Sequence, residues 1–147
     1  MDLKLQGRTV LITGATRGIG RGIAEVMAQE GCDLHISARS LETLEVVADE
    51  LRRRHGVKVT THAHEMNNPE EVEKLGHKCR DVDVLVNNAG DIPTGRLTDI
   101  DSAAWRRGWE SKVFGYIDLT RIILPRMYER RSGNVVNVVG VAAEVPN

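Results

Sequence analysis

An α/β fold, a doubly wound parallel sheet with helices on both faces, is what this sequence predicts, and three observations predict it. Short β-branched runs alternate with stretches of helical spacing from one end of the chain to the other. Only 3% of the residues are aromatic, so a core must be built from Val, Ile, Leu and Ala, the residues of buried parallel strands. A glycine-rich turn joins the first strand to the first helix.

The elements follow in order. Residues 8–13 (RTVLIT) read as the first strand, and Ile19, Ile23, Val26 and Met27 then recur at helical spacing, with Gly31 just beyond the helix end. Residues 33–38 (DLHISA) alternate as a second strand. Leu41, Leu44, Ala48 and Leu51 mark one face of a second helix closed by His55 and Gly56, and residues 57–62 make the third strand. Pro69 opens a shorter helix with Val72, Leu75 and Cys79 on one side, and residues 83–86 (DVLV) are the fourth strand. After a loop over residues 88–101, Ser102 is expected to cap one long helix running to about residue 130. Gly133 ends it, and residues 135–139 are the fifth strand.

With 147 residues and no internal repeat or linker, one domain is expected. Its 20 Lys plus Arg balance 21 Asp plus Glu, which argues against nucleic acid or an anionic membrane surface as a bulk-charge partner. No apolar run is long enough to span a bilayer and no signal-peptide core follows Met1, so a cytoplasmic protein is expected. The isolated Cys32 and Cys79 read as small buried thiols rather than a disulfide. His62 and His64 share a strand face, but with no third ligand in view no metal site is expected.

The segment Thr13-Gly14-Ala15-Thr16-Arg17-Gly18-Ile19-Gly20 stands where a nucleotide-binding turn should stand. Glycines there let the backbone approach a pyrophosphate, and the free N–H groups of the helix start face its oxygens. Asn87-Asn88-Ala89-Gly90 follows the fourth strand directly, where an Asn amide can satisfy backbone groups at the end of a ladder.

These two segments, Thr-Gly-x-x-x-Gly-x-Gly and Asn-Asn-Ala-Gly, resemble the two signatures of the short-chain dehydrogenase/reductase family, and the resemblance covers essentially the whole chain. It implies a Rossmann-type sheet of strand order 3-2-1-4-5 and a nicotinamide cofactor lined by Gly14, Thr16, Arg17, Gly18, Ile19 and Gly20 on one side and by Asn87, Ala89 and Gly90 on the other. Glu65 falls where the family places an Asp against adenine. At the end of the second strand, where an NAD-type acid would bond the ribose hydroxyls, Ala38 stands before Arg39, and Arg17 precedes the middle glycine. Two guanidiniums with no carboxylate point to NADP(H) rather than NAD(H).

The implied activity is hydride transfer between nicotinamide and a small carbonyl or alcohol substrate, a 3-oxoacyl group being one class. The family's Tyr-x-x-x-Lys pair has no counterpart here: Tyr116 and Tyr128, which read as packing or interface residues, are followed four positions on by Thr120 and Ser132. Lys112 takes the place of the family's helix Asn and Gly140 that of its Ser, so the catalytic residues are unassigned. Lys112 reads as an ordinary helix lysine, with a cation replacing a water-holding amide as the alternative. The different class of function left open is a catalytically silent NADP(H)-binding protein that dimerises.

The long helix, residues 102–130, carries more apolar perimeter than one core stripe needs. A homodimer or homotetramer through it is expected, the alternative being cover from later chain. The strand exit near Pro146 and Asn147 reads as an interruption, so residues 1–147 are expected to be a dinucleotide-binding domain incomplete at its C-terminus.

Overall fold

The computed structural model describes residues 3–140. Five strands, β1 (Thr9–Thr13), β2 (Asp33–Ala38), β3 (Val59–Ala63), β4 (Val84–Asn87) and β5 (Asn134–Asn137), form one parallel sheet of order β3-β2-β1-β4-β5. Parallel neighbours need crossovers, and helices α1 (Gly18–Gln29), α2 (Leu41–His55) and α3 (Pro69–Lys78) supply the first three. The expected order 3-2-1-4-5 and the doubly wound α/β class are what the chain adopts. The expected interruption at Pro146 and Asn147 lies outside the described residues.

Strand alternation splits the core in two. Val10, Ile12, Leu34, Ile36, Val84 and Val86 point to the face covered by α1 and α2, where Ala24, Ala28, Leu44, Ala48 and Leu51 meet them. Leu11 and Leu85 point to the other face, under Val72 and Leu75 of α3 and under Leu119, Ile123 and Met127. Burial on both faces is why these strands read as continuous apolar runs.

Caps fix where the helices begin. Ser40 Oγ accepts from the Thr43 N–H at 3.2 Å, and Asn68 Oδ1 accepts from Glu70 N–H at 3.1 Å, with Pro69 in the first turn. Gly56 ends α2 in the left-handed region at φ 68°.

Two expectations are corrected. The cap before residue 102 is Asp101, whose Oδ1 accepts from Ala104 N–H at 2.7 Å; a carboxylate is a stronger acceptor there than the hydroxyl of Ser102, which lies inside the helix. The single long helix is three pieces: α4 (Ser102–Trp109), a π-helical turn over Glu110–Phe114, and α5 (Gly115–Glu129). The Gly115 N–H reaches the Glu110 carbonyl, one residue further than an α-helical bond. Gly115 packs against the loop after β3, where an added Cβ would come within 2.9 Å of the Met66 carbonyl oxygen. The strand ends also shift: β3 starts at Val59, where pairing with Leu34 begins, and β5 stops at Asn137 opposite Asn87. Among the described residues no helix is long and apolar enough to cross a membrane.

Candidate functional site

From β1 the sheet grows one way through β2 and β3, and the chain then returns to lay β4 on the other side of β1. That reversal opens a crevice beyond the carboxyl ends of β1 and β4, the usual ligand position in an open α/β sheet. Here it is a groove of about 720 Å³, large enough for a dinucleotide-sized ligand.

The two motifs are tied to each other at its floor. Thr13, fully buried at the end of β1, accepts through Oγ1 from the backbone N–H groups of Asn88 and Ala89, both at 3.0 Å. Asn88 in return donates through Nδ2 to the carbonyls of Thr13 at 2.9 Å and Gly14 at 3.2 Å. The Gly14 and Ala15 N–H groups reach across to the Ser37 carbonyl of β2. This close weave demands small residues: Gly14 has φ 68°, and a Cβ on it would stand 2.9 Å from the Ala89 Cα. A Cβ at Gly20 would land on the Gly14 carbonyl oxygen. At Gly18, which lines the groove, a Cβ would by contrast meet no protein atom within 4 Å.

Helix α1 starts at the groove with no side-chain cap on its first turn and no acid in it. Its N–H groups and the positive end of its dipole are presented to an anion. Arg17 and Gly18 line the groove there, and Ile19, 66% exposed, lies open in it. The bare glycine space, the uncapped helix start and the Arg17 side chain fit a dinucleotide pyrophosphate.

Across the groove stands Arg39, just past β2, its Nη1 3.3 Å from Asp91 Oδ2 in a well exposed pair. Glu65 also lines the groove, its backbone N–H held by Glu71 Oε2 at 2.7 Å. The expected residues Gly14, Thr16, Arg17, Gly18, Ile19, Gly20, Arg39, Glu65, Ala89 and Gly90 are brought together in this lining.

Asn87 is not among them. It is fully buried behind the groove, donating through Nδ2 to Asn137 Oδ1 at 2.9 Å and to Thr120 Oγ1 at 3.1 Å, and so ties β4 to β5 and α5. Asn88 holds the groove-lining place instead. The doublet hid this, because only the inward direction of the last β4 side chain decides which Asn faces the core.

Sequence reasoning also missed His64, Asp91 and Ser111 in the lining. His64 is 7% exposed, its Nε2 lies 3.1 Å from Met66 Sδ and its Nδ1 has no hydrogen-bond partner among the described residues; burial holds its pKa below the ordinary value. The π turn sets Ser111 toward the groove, with its hydroxyl donating to the Gly108 carbonyl.

Lys112 and Gly140 have distinct surroundings. Lys112 Nζ donates to the Tyr116 hydroxyl at 2.6 Å and to the Val138 carbonyl at 2.7 Å, while its alkyl stem crosses Gly90, where a Cβ would meet Lys112 Cδ at 2.7 Å. Burial lowers the Lys112 pKa and raises that of Tyr116. The pair therefore ties the helix to the end of β5 beneath the groove. Gly140 is exposed, with open space where a side chain would stand.

Comparison with known proteins agrees with this geometry. The short chain dehydrogenase pattern matches residues 8–147. The chain is 35% identical over 148 residues to an uncharacterized oxidoreductase of Bacillus subtilis, YvaG, covering 100% of this chain and 56% of that protein. It is 34% identical to the 3-oxoacyl-[acyl-carrier-protein] reductase FabG of Aquifex aeolicus, covering 100% of this chain and 61% of the relative. The chain thus spans a little over half the length of these relatives. In structure it is similar to L-sorbose reductase from Gluconobacter frateurii, solved with NADPH and L-sorbose, with a TM-score of 0.93 and 31% identity over 100% of this chain and 57% of that one. A short-chain dehydrogenase from Sphingobium yanoikuyae in complex with NADPH superposes with a TM-score of 0.91 at 29% identity, covering 95% of this chain and 56% of its own. Fold, groove and both motifs place the chain in the short chain dehydrogenase family.

Proposed function

We propose that residues 1–147 are the dinucleotide-binding part of an NADP(H)-dependent oxidoreductase that transfers hydride between nicotinamide and a carbonyl or alcohol carbon. The observation that carries this reading is the rim of the groove: Arg17 and Arg39 border it, and β2 ends in Ala38 with no carboxylate to repel a 2′-phosphate. The NADPH complexes among the structural relatives support it.

When bound, NADP(H) supplies the hydride. The start of α1 and the turn at Gly14, Thr16, Arg17, Gly18, Ile19 and Gly20 hold the pyrophosphate, and Ala89 and Gly90 wall the nicotinamide side. Glu65 borders the adenine. Arg39 leaves Asp91 for the 2′-phosphate, a bidentate acceptor of higher charge. Asn87 acts indirectly, by bracing β4. A 3-oxoacyl group is one substrate class in keeping with the Aquifex relative. A cytoplasmic location and a homodimer or homotetramer built on the α4–α5 helix go with this reading.

Titration with NADPH and NADH by fluorescence tests it. NADPH should bind more tightly, and Arg39→Ala should weaken NADPH by about tenfold or more, since a charge-assisted pair contributes roughly 1.5–3 kcal/mol, while leaving NADH nearly unchanged. Equal affinities in the parent chain would overturn the cofactor preference.

A second reading, a nucleotide-binding protein without turnover, is favoured by one observation. The ammonium of Lys112, at the position of the family's Asn, is already engaged by Tyr116 and Val138. NADPH oxidation by the full-length protein against a set of ketones and 3-oxoacyl thioesters separates the two: tight NADPH binding with no turnover on any of them leaves the silent binder.

A further inference from the structure

On the face of the sheet under α3 and α5, no residue of β2 or β3 joins the apolar cluster. Imidazoles occupy that corner instead. His35 of β2 and His62 of β3 stand on this face as diagonal neighbours, since Ser37 pairs with His62 and His35 with Thr60. Their ring centroids lie 5.1 Å apart with 20° between planes, and His35 Nδ1 lies 2.8 Å from His62 Nε2, so the rings meet edge to edge, nitrogen to nitrogen. Cys79, the residue that ends α3, brings its Sγ to 3.5 Å from the same His62 nitrogen. Two histidines from adjacent strands and a thiol from a helix end thus converge, with all three ligand atoms within 4.8 Å of one another.

A neutral imidazole nitrogen offers either one N–H or one lone pair. One proton shared between His35 Nδ1 and His62 Nε2 satisfies those two nitrogens and leaves the sulfur with only a secondary contact at 3.5 Å. One cation accepting a lone pair from each atom would engage all three.

We propose that His35, His62 and Cys79 bind one borderline-soft divalent metal ion, Zn²⁺ by ligand type, through two imidazole nitrogens and a thiolate, with water in the fourth position. Ligand separations around tetrahedral zinc are about 3.3–3.6 Å, from bonds of about 2.0–2.3 Å. The sulfur already stands at 3.5 Å from His62, and the remaining sulfur to His35 pair lies within 4.8 Å. The two imidazoles, now nitrogen to nitrogen at 2.8 Å, must turn and part by about half an ångström for both lone pairs to reach one ion. Hard cations are disfavoured, because the cluster offers no carboxylate. The step is a ligand exchange without redox change: the Cys79 proton leaves to solvent as the metal–sulfur bond forms. Burial raises the free thiol pKa to about 12, and neighbouring Lys78 acts against that by favouring the thiolate. Entry is from the β3 side, the outer strand of the sheet, where His35 and His62 are both part-exposed.

The test is cobalt titration of the full chain, reduced and stripped with chelator, with no nucleotide present. One equivalent of Co²⁺ should give a thiolate-to-cobalt charge-transfer band that Zn²⁺ bleaches. Cys79→Ser should abolish the band, and His35→Gln or His62→Gln should weaken binding by at least about tenfold, the loss seen for even a partner of a ligand. Cys32→Ser, removing the other buried thiol, should leave it intact. A second readout uses only the parent chain: Zn²⁺ should slow alkylation of Cys79 and not of Cys32, read by peptide mapping. Absence of the band, its survival in Cys79→Ser, or alkylation of Cys79 unaffected by Zn²⁺ would each overturn the site.

Discussion

At Gly20 the helix start and the phosphate turn come closer than any side chain allows. Gly20→Ala drives a methyl against the Gly14 carbonyl, which is backbone, and against the Asn88 amide, which is held by its bonds to the Thr13 and Gly14 carbonyls. We expect a loss of about 1–3 kcal/mol, typical of overpacking, read from denaturant midpoints, together with loss of NADPH binding. Glu25 shows a different residue-scale effect. Its carboxylate meets His55 Nε2 and Arg54 Nη1, each at 2.8 Å, and Arg21 Nη1 at 3.2 Å, joining α1 to the end of α2. The His55 hydrogen bond, with help from Arg54, holds its pKa below the ordinary 4.5. The unfolded chain therefore takes up the proton first, so this stabilisation is complete above about pH 4.5 and is lost as pH falls through the lower folded value. Unfolding measured from pH 7 to pH 3 should be less acid-sensitive in Glu25→Gln, whose stability at pH 7 should fall by roughly 0.5–1 kcal/mol. An acid limb as steep in the variant as in the parent chain would remove Glu25 as its source.

At the scale of elements, what could be read in the sequence was what a period or a short motif encodes. The β-branched runs and the 3.6-residue spacings located all five strands and α1 to α3, and the spacing of Gly14, Gly18 and Gly20 located the groove. Longer-range facts were hidden. His35, His62 and Cys79 meet only because β2 and β3 pair in one register and α3 ends where it does; His62 reads in sequence with His64, yet His64 packs on Met66 in the groove wall. The π turn was equally silent, since one surplus residue in a helix of nearly thirty leaves the apolar spacing on either side intact. The exchange of roles between Asn87 and Asn88 turned on the direction of one side chain at a strand end.

At the scale of the molecule, the α4–α5 helix keeps an apolar stripe uncovered among the described residues: Phe114, Ile117 and Tyr128 are 48%, 46% and 73% exposed. In the proposed oligomer these residues bury against a second copy about a two-fold axis. Light scattering on the full chain should give a dimer or tetramer mass, and Ile117→Asp should reduce it to the monomer; an unchanged mass in the variant would exclude this stripe as the interface. The same helix carries the π turn, and there lies a consequence for how the protein can vary. Each α-helical residue turns the axis by about 100°, so the surplus residue sets the phase of α4 apart from that of α5. Ser111, Arg107 and Ala104 look into the groove while Leu119, Ile123 and Met127 stay docked on the sheet. The turn works as a clutch: Ala104 and Arg107 before it face the groove in one phase and the docked residues behind it keep another, so deleting one residue from it would swing the groove-facing side out of register in a single step.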